Sequence, residues 1–372
     1  MRPAVLFIAL LALPLVGAQT SDSVQLIPAR LPDPVEAPAA AYDGHHVYVF
    51  GGYIQRNAAV PRMERQDDIV RFDPVTETTT VMGARMDPPR HGMAAAAFGG
   101  QIYLFGGFGC LSGSGSYTYC NSILRYDPGA DKLTQLDATL PTGLYYTAAA
   151  ASGDAIYFAG GGNHDYRVRV IWKFDPASET GKEVASLSTG TEAMAAAWAN
   201  NNLFLFGGQQ ADKGSPRDWI LKFDPATQRL TELPTYLPKP NYGLSAAYDG
   251  TYVYLFGGED YPAELDTIVR FNPVNNAVSL LTAKLPSARF RTSAAWAGEA
   301  AYVFGGEVED ANADNSVRLS DIVRFKPAAG GSEPTKDFKR ETGKGFHIPG
   351  FDPTLVLVGA SLALVAFARR RA

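Results

Sequence analysis

A short hydrophobic run closed by two glycines recurs six times along the chain. The copies are Val47–Gly52, Ile102–Gly107, Ile156–Gly161, Leu203–Gly208, Val253–Gly258 and Ala301–Gly306. Each run is rich in β-branched and aromatic residues, which predicts a buried strand, and the paired glycines predict a backbone that needs positive φ or passes close to a neighbour. Because the copies recur about every fifty residues, the chain is expected to form a radial or stacked β repeat.

A second motif follows each glycine pair and places a proline after a basic and an aromatic residue. Its copies are Arg71–Pro74, Arg125–Pro128, Lys173–Pro176, Lys222–Pro225, Arg270–Pro273 and Arg324–Pro327. In the first four copies an aspartate precedes the proline, a pair that starts tight turns. A further strand follows, and then one dominated by alanine, such as Ala94–Phe98. Only small side chains fit where sheets crowd around an axis, so the alanines favour a closed propeller over a stacked solenoid.

The two ends of the repeat region complement each other. The last unit stops at Pro327 before any outer strand, and Ser23–Ile27 supplies a strand at the other end. We therefore predict an all-β fold, a six-bladed β-propeller with four antiparallel strands per blade, whose N-terminal strand closes the ring and leaves no open edges.

These motifs resemble the kelch repeat, and the resemblance covers most of the chain, from about Ser23 to Pro327. The units are divergent, because the tryptophan that kelch repeats usually carry after the Asp-Pro turn is absent. Those places hold Thr79, Leu133, Gly181, Leu230 and Val278. The resemblance implies a binding or interaction module, whose ligand would be a protein or a glycan.

The segments outside the repeats predict export and tethering. Residues 1–18 read as a signal peptide with the apolar run Ala4–Val16, residues 19–327 as the propeller and residues 328–353 as a flexible stalk. Residues 354–372 read as a membrane anchor or a sorting signal. Pro349-Gly350-Phe351, an apolar segment and Arg369–Arg371 resemble the PGF-type sorting signal of archaeal surface proteins. The propeller would then lie at the cell surface, anchored to the membrane at its C-terminus.

Cysteine content and charge narrow the chemistry further. Cys110 and Cys120 are the only cysteines and lie in one loop, which predicts a disulfide in an exported protein. A net charge of −5 without a basic block argues against a nucleic-acid partner. The histidines, including His45-His46, show no metal spacing, so we predict no metal site and no cofactor.

Candidate ligand-binding residues lie on the face that holds the long segments after the glycine pairs, which we call the loop face. They come from those segments and from the crossings into each inner strand: Arg90, Tyr145, Tyr146, Glu192, Tyr242, Glu259, Arg289, Arg291 and Glu307. His164, Asp165 and Asp260 lie beside them. Arginines, carboxylates and tyrosines around an opening suit a sugar or an acidic group. The alternative is a solvated rim in which Arg–Glu pairs bridge blades.

Two functions from different classes remain open on the sequence alone. The first is an exported, membrane-tethered binding module for protein or glycan ligands. The second is a sugar-modifying enzyme resembling the six-bladed sialic-acid epimerases, which also carry a signal peptide. No spacing of carboxylates marks an acid–base pair, which favours the binding module.

Overall fold

The computed structural model describes residues 21–55, 63–163, 166–210, 214–309, 316–328 and 338. All regular structure in these residues is β-strand. Its main strands form six antiparallel sheets, the blades of a propeller, and this confirms the predicted fold class. Five of these sheets have four strands, and the sixth has the same four plus the short strand Glu307–Glu309. We number the blades 1 to 6 by the order of their inner strands.

Each blade runs from an inner strand at the axis to an outer strand at the rim. The inner strands are Ala39–Tyr42, Ala94–Phe98, Ala148–Ala151, Ala195–Ala199, Ser245–Tyr248 and Ser293–Ala297. The second strands are Val47–Phe50, Gln101–Phe105, Ile156–Ala159, Asn202–Phe206, Val253–Phe256 and Ala300–Phe304. The third strands are Asp68–Asp73, Ser122–Asp127, Val170–Asp175, Arg217–Asp224, Thr267–Phe271 and Ser316–Lys326. The outer strands are Thr78–Arg85, Lys132–Thr139, Thr180–Ser186, Arg229–Asn241, Val278–Lys284 and Ser23–Val35.

The N-terminal strand closes the ring as predicted. Ser23–Val35 is the outer strand of blade 6, where Val24 lies opposite Phe325 and Leu26 opposite Val323. Residues from both ends of the chain thus share one sheet. Its junction with blade 1 buries Ile27 beside Phe72 and Phe304 in one hydrophobic cluster. The remaining junctions between neighbouring blades each hold a cluster of the same kind.

The glycine pairs are explained by the crossing that passes over them. A Cβ added to Gly106 would lie 2.3 Å from the carbonyl oxygen of Leu144, and the φ of Gly106 is +68°. The second glycine, Gly107, donates its N–H to the same carbonyl at 2.8 Å. A side chain at either position would push the crossing away, so each pair is a contact point between neighbouring blades.

A closed ring of backbone hydrogen bonds surrounds the axis. It uses one residue from each crossing, all with positive φ: Ala37, Gly92, Tyr146, Ala193, Gly243 and Arg291. Each donates its N–H to the carbonyl of the ring residue before it, and Ala37 donates to Arg291, with distances of 2.7 to 3.0 Å. We call this set the axial ring. It ties every blade to both neighbours.

The two faces of the propeller differ as expected from the sequence. On one face Asp73 accepts the N–H of Val75 at 2.8 Å, and the other Asp-Pro turns repeat this bond. The loop face carries small two-stranded ladders, formed by Tyr53–Gln55, Met63–Arg65, Phe108–Leu111, Tyr117–Tyr119, Thr191–Glu192, Gln209–Gln210, Glu259–Asp260, Ala263–Glu264 and Glu307–Glu309. The predicted disulfide between Cys110 and Cys120 is present in one of them.

The predicted targeting segments are not part of the described propeller. Residues 1–18 and 354–372 lie outside the described residues, as does the predicted stalk apart from Ala328 and Phe338. Within the described ranges, no helix has the length and apolar character needed to cross a membrane.

Candidate binding site at the axial mouth

Two further positions per blade surround the axial ring on the loop face. The residue before each ring position is Glu36, His91, Tyr145, Glu192, Tyr242 or Phe290. Each forms a β-bridge with the residue after a glycine pair, namely Tyr53, Phe108, Gly162, Gln209, Glu259 or Glu307. We call these twelve residues and the axial ring the axial mouth. The repeat therefore places different side chains at equivalent positions around one opening.

A buried ionic cluster lies where blade 6 meets blade 1. Arg291 donates Nη1 to Glu307 Oε1 at 2.8 Å and lies 3.5 Å from Glu36 Oε2. Arg318 approaches the same two carboxyl groups at 3.5 and 3.7 Å, and the Ser316 hydroxyl donates to Glu307 at 3.0 Å. The predicted residues Arg291 and Glu307 are thus brought together, and Glu36 and Arg318 complete the cluster.

The two carboxyl groups of this cluster share a proton. Burial, together with the adjacent Glu307 carboxylate, raises the pKa of Glu36 to about 8. Burial opposes ionisation of Glu307 as well, but the hydrogen bond from Glu36 and the charge of Arg291 hold the pKa of Glu307 below its ordinary value. At neutral pH Glu36 is therefore the protonated donor and Glu307 the acceptor.

Aromatic side chains line the opposite side of the mouth. The rings of Tyr145 and Tyr146 lie 4.4 Å apart, and the Arg291 guanidinium lies 5.6 Å from the Tyr146 ring. Tyr242 donates its hydroxyl to Glu259, and burial followed by this bond raises the pKa of Tyr242. All four of these predicted site residues, Tyr145, Tyr146, Tyr242 and Glu259, therefore do lie at the mouth.

Two more polar residues of the mouth are held by neighbours. Glu192 pairs with Arg167 Nε at 2.8 Å, and burial raises the pKa of Glu192 despite that partner. His91 lies between the Tyr53 and Phe108 rings, at 4.8 and 5.8 Å, and burial lowers its pKa to about 3. The imidazole is consequently neutral across the physiological range.

The cavity at the axis is small. It has a volume of about 90 Å³ and is walled by axial-ring residues and their neighbours, including Tyr146, Met194, Arg291 and Thr292. Small-molecule pockets usually measure roughly 300 Å³ or more, so a sugar ring does not fit within it. Among the described residues, no group of three His, Cys, Asp or Glu side chains is arranged to hold a metal ion. Because the cavity is small, we expect a ligand to contact the outer surface of the mouth.

Comparison with known proteins agrees with this geometry. Residues 19–193 and 192–336 match the KLHDC2/KLHL20/DRC7 Kelch-repeats domain family. The chain belongs to the kelch-repeat family. It is similar to a Kelch domain-containing protein of Archaeoglobus fulgidus, with 27% identity over 59% of this chain and 62% of the relative. It is also similar to human Kelch domain-containing protein 3, with 29% identity over 45% of this chain and 48% of the relative.

A shorter match connects this kelch propeller to an enzyme. An N-acetylneuraminate epimerase of Pasteurella multocida is 31% identical over 128 residues, which is 33% of each chain. The matches to the two Kelch domain-containing proteins span about half to three fifths of those relatives' length.

Two predicted ligand-binding arginines lie inside the kelch propeller wall. Arg90 and Arg289 each lie two residues before an axial-ring residue, and both are only 1% exposed. Arg90 donates Nη1 to Ser122 Oγ at 2.9 Å, while Arg289 holds Asp321 through both Nη atoms at 2.5 and 3.2 Å. Each guanidinium joins a crossing to the blade that follows it. Their burial leaves almost no surface for a ligand to contact.

The predicted site residues did not include Glu36 and Tyr53 at the mouth, or Arg318 beside it. Glu36 occupies the position of Glu192 in its own crossing, and counting back from each alanine-rich strand would have shown this. Arg318 reaches the mouth from the third strand of blade 6, where the repeat pattern carries no signal. His164 and Asp165 lie outside the described residues, and Asp260 lies next to Glu259 in a short loop-face strand.

Large apolar side chains project from the loops around the mouth. They are Leu111 and Tyr117 in blade 2, Tyr166 in blade 3, Tyr261 in blade 5 and Val317 in blade 6, and their exposure ranges from 46% to 73%. We call these five residues the apolar rim. Exposed aromatic and aliphatic side chains on one face are contacts that a protein partner can bury.

Proposed function

We propose that this kelch propeller is an exported, membrane-tethered binding module whose loop face binds a protein partner. The apolar rim carries the proposal, because five exposed apolar side chains from four blades lie on the same face as a mouth of fixed charged and aromatic groups. Apolar anchors around well-ordered polar groups resemble the energetic core of protein interfaces. Kelch propellers generally bind proteins, which supports the same conclusion.

The mouth adds a polar anchor at the centre of this surface. The Arg291 side chain is 31% exposed and lies over the Tyr146 ring, so a partner's carboxylate could reach it. Glu307 already pairs with Arg291, and an anionic group would have to compete with that bond. We therefore assign the larger share of binding energy to the rim. A glycan, the other ligand class, would depend more on the mouth.

The experiment compares matched apolar positions on the two faces. Cross-linking at the surface of intact cells would identify the partner, which is then titrated against purified variants. Tyr117→Ala and Tyr261→Ala are expected to weaken binding at least tenfold each, as loss of a buried aromatic anchor would. Val75→Ala and Val274→Ala remove apolar side chains that are even more exposed, on the opposite face, and should change binding less than twofold. The reverse ranking would place the interface on the opposite face and refute the proposal.

Export and tethering rest on the end segments and need a separate test. Protease added to intact cells should cleave the propeller, and deletion of residues 354–372 should release it into the medium. A propeller that stays protected until the cells are lysed would contradict export.

The alternative function is a sugar-modifying activity. It is favoured by the Glu36–Glu307 pair, because an acid beside a base is what proton transfer at carbon requires. Both carboxyl groups are almost fully buried, and the adjoining cavity is small. This activity is tested by following N-acetylneuraminic acid and uronic acids, incubated with the protein, by nuclear magnetic resonance. Turnover that Glu36→Gln abolishes would establish this activity, and unchanged spectra would exclude these substrates.

A further inference from the structure

An apolar groove lies between blades 4 and 5, away from the axial mouth. It encloses about 290 Å³, roughly three times the volume of the axial cavity. Its walls are mainly aliphatic and include Leu237, Leu244, Leu255, Leu265 and Leu280. A space of this size in an apolar wall leaves part of that wall without packing partners.

The crossing residue that lines this groove is shorter than its counterparts before blades 2 and 6, Arg90 and Arg289. Arg90 extends from its crossing past the Gly106 carbonyl to Ser122 at the start of the third strand. The equivalent residue before blade 5 is Asn241, which also bonds a glycine carbonyl, that of Gly257 at 2.8 Å, but ends there. Asn241 therefore reaches less far along its blade than Arg90 does, and it forms part of the groove wall.

One residue from beyond the propeller repeats lies in this groove. Phe338 lines the cavity and packs against the hydrophobic cluster shared by blades 4 and 5. Its ring meets the Tyr236 ring edge-on, with centroids 6.2 Å apart. The Tyr236 N–H donates to the Phe338 carbonyl at 3.3 Å. Both the side chain and the backbone of Phe338 therefore contact the propeller.

The backbone contact covers an edge that would otherwise face solvent. Tyr236 belongs to Arg229–Asn241, the outermost strand of blade 4. Unpaired groups on an edge strand are available for pairing with another segment, and an extended peptide commonly binds by adding to such an edge. An apolar pocket beside an edge strand provides the two elements that such a segment needs.

We propose that this groove is the docking site for the C-terminal tail of the same chain, with Phe338 as the anchoring side chain. Ten peptide steps connect Ala328 at the end of blade 6 to Phe338, a reach of at most about 35 Å. Docking shortens the free stalk before residue 354 from the 26 residues 328–353 to the 15 residues 339–353. The proposal does not depend on which partner the loop face binds.

Hydrogen exchange of the full-length protein tests this docking. Phe338→Ala should speed exchange of the Tyr236 amide at least tenfold, and exchange in blades 1 and 2 should not change. Phe346→Ala removes an aromatic residue further along the tail and is the matched control, with no expected effect. A synthetic peptide of residues 333–342 should restore protection in Phe338→Ala, and the same peptide with alanine at position 338 should not.

Three results would overturn the proposal. Tyr236 exchange that is unchanged in Phe338→Ala would show that Phe338 does not dock. Faster exchange by the same factor in all six blades would make Phe338 a global stability residue. Protection in the unaltered protein that fades on dilution would show that the groove holds the tail of a second copy rather than its own.

Discussion

Glu36→Gln is the substitution that most directly tests the shared proton in the ionic cluster. Glutamine keeps the shape of the protonated carboxyl group, and its amide can donate to Glu307 as the acid does. It cannot ionise, so it fixes Glu36 in the neutral form at every pH. The variant should fold as the original does at pH 5 and differ from it increasingly as pH rises.

The size of the difference follows from the pKa of Glu36. In the folded protein this group keeps its proton to about pH 8, whereas the unfolded chain loses it near 4.5. The folded state therefore binds more protons between these values, and its stability falls as pH rises through that window. A pKa shift of one unit corresponds to about 1.4 kcal/mol. The shift from 4.5 to about 8 therefore sets an upper limit of about 5 kcal/mol on the stability lost as pH rises. The lowered pKa of Glu307 changes stability only below about pH 4.5, outside this window. We therefore expect a difference of about 2–5 kcal/mol.

Urea unfolding followed by tryptophan fluorescence at constant ionic strength measures this difference. Glu36→Gln should match the original protein at pH 5 and exceed its unfolding free energy by about 2–5 kcal/mol at pH 9. Some dependence on pH should remain in both, because the pKa of Glu192 is also raised. Glu183→Gln, an exposed position on an outer strand, is the control. Two parallel curves from pH 5 to pH 9 would refute the shared proton.

Four further changes test the scaffold, each by thermal or urea unfolding. Deleting residues 21–27 should lower the melting temperature by about 10 °C or more, because blade 6 loses part of its outer strand; an unchanged melting curve would contradict closure by that strand. Cys110→Ser should cost at most about 2–3 kcal/mol, since the bridged loop is short, and finding both thiols free in the secreted protein would refute the bridge. Arg289→Ala should cost about 3–5 kcal/mol by leaving Asp321 without its partner, and Arg289→Met combined with Asp321→Leu should recover most of that loss. Trp219→Phe should cost about 1–2 kcal/mol by removing the 2.6 Å bond to the Gly207 carbonyl, and a neutral result would show that this bond is not stabilising.

The sequence predicts the scaffold well because the scaffold repeats. Paired glycines, Asp-Pro turns and alanine-rich strands each reflect a steric requirement that every blade shares, so six copies reinforce one interpretation. The missing outer strand after Pro327 likewise has one partner, Ser23–Ile27, and the structure pairs them. The disulfide was predictable because the two cysteines lie in one loop and are the only cysteines in the chain.

The site is less predictable because the burial of a side chain changes within one or two residues along each crossing. Arg289 and Arg291 are two residues apart, yet one lies inside the wall and the other at the mouth. Burial of a charged residue is governed by whether the next blade offers a partner such as Asp321, which lies 32 residues further along the chain. No pattern in the local sequence predicts such a partner. The pairing of Arg291 with Glu307 and Glu36 follows the alternative of Arg–Glu bridges between blades.

The axial ring determines what kind of chemistry the mouth can offer. Its six N–H groups all point the same way around the axis, from each blade to the one before, so their peptide dipoles circulate instead of adding along the axis. Converging backbone N–H groups are the usual way for a loop to bind an anion, and here each of these six is already bonded to a carbonyl. Selectivity at the mouth is therefore a property of side chains alone. Its preference could be altered by substitutions at the surrounding positions while the backbone that joins the blades stays intact.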